Sequence, residues 1–281
     1  MTGDSDFVGL IAGNNELPLL VARKAKETGK KLAVAGFAGE ASPELSDLSD
    51  RYLELGVGEL LPLADFFLGS GCEIVSLAGG VTRENILKNY RPDAEAERVM
   101  ESLPDFNTNT VLLAMADWLE DRGLRFVCVT DLVPELLVKP GLLGKARPTP
   151  ELLEDMRLAF KFAKELGRLD IGQTAVVSEK IALALEGADG TDATIRRGAA
   201  LSRSPITAAK VFKPRQDPRV DLPVVGPLTL ELLREVRAGA LVLDAERLII
   251  LEPEKCVEIA NDCGMVLAAW DGNRLSGEDT P

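Results

Sequence analysis

The chain has 281 residues, 46% of them hydrophobic, enough for one large core or two ordinary ones and unlike a disordered segment. A formal net charge of −13 opposes general attraction to nucleic acid or anionic lipid, because both require cations that displace counterions. The sequence contains no His, which excludes imidazole bases, Ser/His and Cys/His relays and the usual zinc sites, leaving Asp, Glu, Lys and water for proton transfer.

The start, MTGDSDFVGLIAG, carries acids where a secretory signal carries positive charge, and no run reaches the roughly 20 apolar residues of a membrane span. A cytoplasmic protein is expected. Along the first half, FVGLIAG, LPLLVARKAKETG, KLAVAGF, YLELGV, a helix near residues 60–68, EIVSLAGG, LLAMADWLEDRG and RFVCVTDLV alternate strand and helix patterns. That rhythm predicts a mostly parallel, Rossmann-like sheet whose ligand loops follow the strands. In GLIAGNNELP, Gly13 and Asn14 stand at a strand-to-helix turn. Gly and Asn tolerate positive φ, so the turn can aim backbone N–H groups at an anion, although a plain connecting turn accounts for it as well. AGGVTRE is a second such turn, with Gly79, Gly80 and Arg83 as candidate phosphate contacts.

The Gly-, Pro- and cation-rich stretch KPGLLGKARPTP precedes a helix beginning at Glu151, so a domain connection is placed here, giving domains 1–142 and 143–281. The second half reads as a mixed α/β domain: a hairpin over TAVVSEKIALALEG turning at 178–180, a helix from GTDATIRRGAAL, a strand in AAKVFKP, strands ALVL and RLIIL, a helix through Val257 and a closing strand MVLAAW. The cysteines Cys72, Cys128, Cys256 and Cys263 form no CxxC pair and read as small buried hydrophobes.

The sharper chemical signal lies in this half. Asp170, Gln173, Glu186, Thr191, Asp192, Arg196 and Arg197 gather around predicted strand ends and a helix start, where Thr191 and Asp192 could equally be caps. No acid occurs between Asp192 and Asp217, while Arg196, Arg197, Arg203, Lys210, Lys213 and Arg215 do. A basic island beside carboxylates suits phosphoryl chemistry; a solvated charged face is the bland alternative. KPRQDPRVDLPVVGPLT adds Gln216, Asp217, Arg219 and Asp221 on a backbone stiffened by proline.

Taken in order, GLIAGNNELP, AGGVTR, GRLDIGQTAVV, GTDATIRR and KPRQDPRVDLPVVGP resemble the histidine-poor, two-domain family of UDP-2,3-diacylglucosamine pyrophosphatases of lipid A biosynthesis. The resemblance implies magnesium- (or manganese-) dependent hydrolysis to 2,3-diacylglucosamine 1-phosphate and UMP, with water attacking the α-phosphorus. The aspartate of the family's DLP motif corresponds to Asp221, expected to be catalytic, with Asp192 and Asp221 as metal ligands. Gly13, Asn14, Gly79, Gly80, Arg83, Gln173, Thr191, Arg196, Lys213, Gln216 and Arg219 are expected to bind substrate. Asn107, Thr108 and Asn109 replace an acidic segment common in the family, and Asn14 and Asn15 replace glycines. The implied partners are the acylated UDP-glucosamine substrate, the cytoplasmic face of the inner membrane in transient contact, and a second copy in a homodimer, with no nucleic acid. The acyl chains are expected between the domains. Another nucleotide-sugar or phosphosugar hydrolase, or a non-catalytic acyl-phosphosugar binder, are the competing readings.

Overall fold

A computed structural model describes residues 7–272. The chain divides into two compact units, 1–134 with 217–221, and 135–216 with 222–281.

The N-terminal unit runs β1 (Phe7–Ala12), α1 (Leu17–Glu27), β2 (Lys31–Phe37), α2 (Glu44–Leu48), β3 (Arg51–Leu55), α3 (Leu60–Gly69), β4 (Ile74–Ala78), α4 (Arg83–Asn89), α5 (Ala94–Glu101), α6 (Thr108–Glu120), β5 (Arg125–Phe126) and α7 (Val129–Leu132). Its five strands are parallel in the order β3-β2-β1-β4-β5. β1 and β2 are nearly continuous apolar runs because helices cover both faces of such a sheet. The order reverses between β1 and β4, and open parallel sheets place their ligand crevice at the carboxyl ends beside such a switch. Gly9 lets α3 close on the sheet, since a Cβ there would stand 2.8 Å from the Phe67 ring. RFVCVTDLV forms a strand only over Arg125–Phe126. The Cys128 N–H then donates to the Asp131 carboxylate at 3.1 Å, and this box turns the chain into α7.

The C-terminal unit runs β6 (Gly141–Leu142), α8 (Pro150–Arg168), β7 (Thr174–Ser178), β8 (Ile181–Leu185), α9 (Gly190–Ala200), β9 (Thr207–Lys210), β10 (Val224–Val225), α10 (Pro227–Glu235), β11 (Ala240–Asp244), β12 (Ile249–Ile250), α11 (Pro253–Cys263) and β13 (Val266–Trp270). Its six-stranded sheet has the order β6-β13-β11-β9-β7-β8, parallel through β13, β11 and β9 and antiparallel at both flanks. The expected mixed sheet is therefore present. The β7–β8 hairpin turns through Glu179 (φ 50°) and Lys180 (φ 64°). The buried Asp155 carboxylate stabilises that turn by accepting both their N–H groups, at 2.9 and 2.7 Å.

The division expected at 142/143 is observed at 134/135. Gly141–Leu142 pairs with β13, and the Val138 N–H donates to the Leu248 carbonyl at 3.0 Å, so this stretch belongs to the second core. The segment Asp217–Asp221, by contrast, clusters with the N-terminal unit, where Val220 is buried in the core. Cys72, Cys128 and Cys256 are buried as expected; Cys263 is exposed, because it ends α11 on the solvent side.

Candidate functional site

In the N-terminal unit the two glycine turns meet. The Gly13 N–H donates to the Ala78 carbonyl at 2.9 Å, and the Asn14 N–H to the Gly80 carbonyl at 2.8 Å. A Cβ on Gly13 would stand 2.1 Å from the Gly80 oxygen, and one on Gly79 (φ +79°) 2.2 Å from the Asn14 oxygen, so both positions require glycine. Asn15 takes φ 66°, as Asn tolerates, and its side-chain Oδ1 accepts the Leu17 N–H at 2.9 Å at the head of α1.

Sequence reasoning missed Glu40. This half-buried carboxylate accepts the Asn14 amide at 2.9 Å, the Thr82 N–H at 2.7 Å and the Thr82 hydroxyl at 2.5 Å. It thereby ties together the loops that follow β1, β2 and β4. Burial pushes its pKa upward, but the bonds from Thr82 and Asn14 outweigh that and leave it below the ordinary value. The available signal was an acid directly after a predicted strand, in GFAGEA. Arg83 is exposed on the same rim, at the start of α4.

Beside the Gly79–Gly80 turn lies an apolar cavity of about 440 Å³. Phe37, Leu55 and Leu77 at the ends of β2, β3 and β4 form its floor, and α5 and α6 contribute Val99, Val111 and Met115. Asn107 caps α6 by accepting the Thr110 N–H at 2.9 Å, so this position of the variant segment serves the helix start. Thr108 lines the cavity, and the Asn109 side-chain oxygen is enclosed without a hydrogen-bond partner among the described residues.

The 217–221 segment carries Asp221 and Arg219. The Arg219 guanidinium forks onto Asp217, with Nη2 to Oδ2 at 2.9 Å, and reaches Glu120 of α6 at 3.2 Å. The hydrogen bond from Arg219 holds the Asp217 carboxyl below its usual range. Asp221 is exposed, its N–H donating to the Asp217 carbonyl at 3.1 Å.

In the C-terminal unit a polar edge forms at the carboxyl ends of the parallel strands. Lys213 pairs with Asp170 at 2.9 Å, bringing the KPRQ and DIGQ stretches together. The Thr191 hydroxyl lies 3.3 Å from that of Thr174 and 3.4 Å from the buried Glu186 carboxylate. Gly172 permits this, since a Cβ there would stand 2.4 Å from the Glu186 carbonyl oxygen. The Gln173 side-chain oxygen is enclosed without a hydrogen-bond partner among the described residues, while Gln216 is buried with its N–H on the Lys213 carbonyl. Neither Thr191 nor Asp192 caps α9: the N-cap is Asp189, and both residues sit in the first turn. Asp192 is exposed, and its charge there suits the positive end of the helix.

Three of the six cations of the basic island, Arg196, Arg197 and Lys213, are matched by acids. Arg196 pairs with Glu235 at 3.3 Å, away from the Glu186–Thr191 edge, and Arg197 with Asp189 at 2.9 Å. The Lys210 ammonium is buried, donating to the Val224 carbonyl at 3.0 Å. A run without acids in sequence says nothing about which acids the fold brings beside it.

Among the described residues, no three carboxylate or thiol groups converge as a metal cage. The two expected ligands, Asp192 and Asp221, stand in different units and both are exposed. That donor set does not fit an ion held by protein alone. Magnesium keeps its waters and is typically held by one or two carboxylates together with substrate phosphates, and a single exposed carboxylate such as Asp221 is a donor of that kind.

Models of the LpxI N-terminal domain and the LpxI C-terminal domain match residues 7–136 and 139–268. The chain belongs to the LpxI family. A relative in Caulobacter vibrioides, the UDP-2,3-diacylglucosamine pyrophosphatase LpxI, is 35% identical over 279 residues, covering 94% of this chain and 97% of its own. The family resemblance expected from the motifs is therefore shown over nearly the full length. Among solved structures, the biotin carboxylase subunit of a pyruvate carboxylase aligns at 16% identity and a TM-score of 0.27, over 64% of this chain and 35% of that one. The biotin carboxylase domain of Hydrogenobacter thermophilus 2-oxoglutarate carboxylase gives 16%, 0.27, 62% and 35%. At such scores the likeness says nothing about fold or activity here. No described helix is long and apolar enough to cross a membrane.

Proposed function

We propose that the protein hydrolyses the diphosphate of UDP-2,3-diacylglucosamine, yielding 2,3-diacylglucosamine 1-phosphate and UMP in lipid A biosynthesis. The observation that carries this is the end-to-end likeness to a relative of that activity, through both domain models. The geometry agrees in kind: a locked pair of glycine turns at a parallel-sheet switch point, an adjoining apolar cavity and an exposed carboxylate in a braced loop.

Asp221 is the group proposed to orient or deprotonate the attacking water. Its loop is fixed by the Asp217–Arg219 fork and by Val220 in the core, so its carboxylate is preorganised. The Gly13 and Gly79 turns hold their backbone against each other, and Glu40 positions them through Asn14 and Thr82. Magnesium or manganese, with Asp221 as a protein ligand, would neutralise charge on the diphosphate oxygens. The acylated substrate implies transient contact with the cytoplasmic face of the inner membrane, and a homodimer is the proposed assembly.

A panel of UDP-sugars with and without acyl chains, assayed before and after exhaustive chelation, tests this. Turnover of the diacylated substrate alone, lost on chelation and restored by magnesium, is expected. Equal turnover of non-acylated UDP-sugars would overturn the substrate, and full activity after chelation would overturn the metal. Attack at the α-phosphorus rests on the resemblance alone. Hydrolysis in ¹⁸O-water decides it: label on UMP supports it, and label on the sugar phosphate reverses it.

A further inference from the structure

We infer that Glu40 is a positioning residue that only a carboxylate can replace, because it holds the Asn14 amide the one way round that bridges the two glycine turns. The inference deepens the proposed hydrolysis, on which its kinetic readout rests; its structural readout needs no substrate.

Glu40 stands on a fixed platform. Its own N–H and that of Ala41 both donate to the Phe37 carbonyl, at 3.0 and 2.9 Å, and the Ala38 N–H donates to the Leu55 carbonyl at 2.9 Å. The turn therefore closes directly on the ends of β2 and β3. From α4, the buried Asn85 donates its side-chain amide to the Ala38 carbonyl at 2.8 Å and clamps the other side.

Each of these side-chain bonds is donated into the carboxylate. The Thr82 N–H and hydroxyl reach Oε1 at 2.7 and 2.5 Å, and Asn14 Nδ2 reaches Oε2 at 2.9 Å. The Thr82 N–H belongs to the backbone and cannot reverse its polarity. Its hydroxyl oxygen also accepts the Asn85 N–H at 3.2 Å, capping α4, so the hydroxyl proton is free to point at Glu40. With Nδ2 drawn to Glu40, Asn14 Oδ1 faces the Gly80 N–H, 3.3 Å away. Asn14 thus engages Gly80 twice, its backbone N–H on the Gly80 carbonyl and its side-chain oxygen on the Gly80 N–H. That side chain is a strut between the loops after β1 and β4, and Glu40 sets its direction.

A glutamine of the same shape cannot do this. Its one oxygen is needed at Thr82, which turns its NH₂ group toward the NH₂ group of Asn14. Turning Asn14 over relieves that contact but points its NH₂ at the Gly80 N–H, so two donors oppose each other either way. Aspartate in place of Asn14 fails differently, by setting two carboxylates side by side. The two changes together restore every bond: the introduced glutamine NH₂ donates to one oxygen of the introduced aspartate, whose other oxygen accepts the Gly80 N–H.

The test is a double-mutant cycle of Glu40→Gln, Asn14→Asp and the two combined, read by kcat/KM, by Tm and by hydrogen exchange of the Gly80 and Thr82 amides. Leaving a donor unsatisfied costs on the order of tenfold in an equilibrium. Each single change is expected to lower kcat/KM about tenfold and to speed exchange at Gly80. The combined variant is expected to regain about tenfold over the product of the two single losses, with slowed exchange. A carboxylate at position 40 that worked on the substrate itself predicts no such recovery. Losses that simply multiply, or wild-type exchange and kcat/KM in Glu40→Gln, would overturn the inference. Should the single variants fail to fold, a folded combined variant is expected, and its failure to fold would equally overturn it. Absent turnover of acylated UDP-sugars by the wild type sinks the proposed hydrolysis, whereas Tm and amide exchange still decide the role of Glu40.

Discussion

Gly13→Ala probes the meeting of the two glycine turns. The new methyl would lie 2.1 Å from the Gly80 carbonyl oxygen, and backbone cannot swing aside as a flexible side chain can. One turn must retreat by about 1 Å, a displacement set by the 3.0 Å that real Cβ contacts essentially never breach. That shift weakens the bonds from Gly13 to Ala78 (2.9 Å) and from Asn14 to Gly80 (2.8 Å). Each is worth roughly 1 kcal/mol net, and forced overpacking adds about 1–3 kcal/mol, so the loss is on the order of 3–5 kcal/mol. For a unit of this size that is about 10 °C in Tm. A turn displaced by about 1 Å should also cost on the order of a hundredfold in kcat/KM. Gly29→Ala is the control: Gly29 has φ +75° with nothing within 4 Å of its added methyl, so only backbone strain of about 1–2 kcal/mol applies. Thermal melting compares the variants, and hydrogen exchange over residues 7–16 and 74–82 locates the loss. A Gly13→Ala protein that melts within 2 °C of wild type, or above Gly29→Ala, would refute the close-approach argument.

Asp221→Ala should lower kcat on the order of a hundredfold or more while Tm stays within about 1 °C, because the residue is exposed and fills no core volume; near-normal turnover in the folded variant would remove it from the mechanism. Asp217→Asn should lower Tm by a few degrees at pH 7. The folded pKa of Asp217 is depressed by Arg219, so its stabilisation is present above the unfolded value of about 3.9 and lost as pH falls through the folded value. Wild type and variant melting curves should therefore converge in strong acid, and a gap that persists there would point to packing instead. Burial pushes the Cys72 thiol up to about 11 and Cys256 up to about 12, whereas Cys263 is exposed. A thiol reagent at pH 8 should modify Cys263 first and spare Cys72 and Cys256 until denaturant is added, as peptide mapping would report.

The alternation of apolar runs with amphipathic stretches was enough to show two α/β bodies, because hydrophobic period follows directly from which faces a helix or strand buries. Motif order was enough to show the family. The turn of positive φ at Asn15 and the hairpin at 178–180 were legible for the same local reason. The boundary was not, since Gly141–Leu142 carries no sign of the β13 partner more than a hundred residues away.

The sequence alone determined what is local or compositional: the exclusion of imidazole chemistry in a chain without histidine, glycine at turns with special backbone demands, and strands buried on both faces. Only the tertiary structure decided what depends on partners distant in sequence. It matched Arg196 with Glu235, Arg197 with Asp189 and Lys213 with Asp170, turning half of a seeming basic island into separate ion pairs. It also placed Asp217–Asp221 in the N-terminal unit and gathered three strand ends around an apolar cavity. Charge matching and cavity walls are properties of non-local contacts, and loop closure over a long chain leaves those contacts unmarked in any short stretch of sequence.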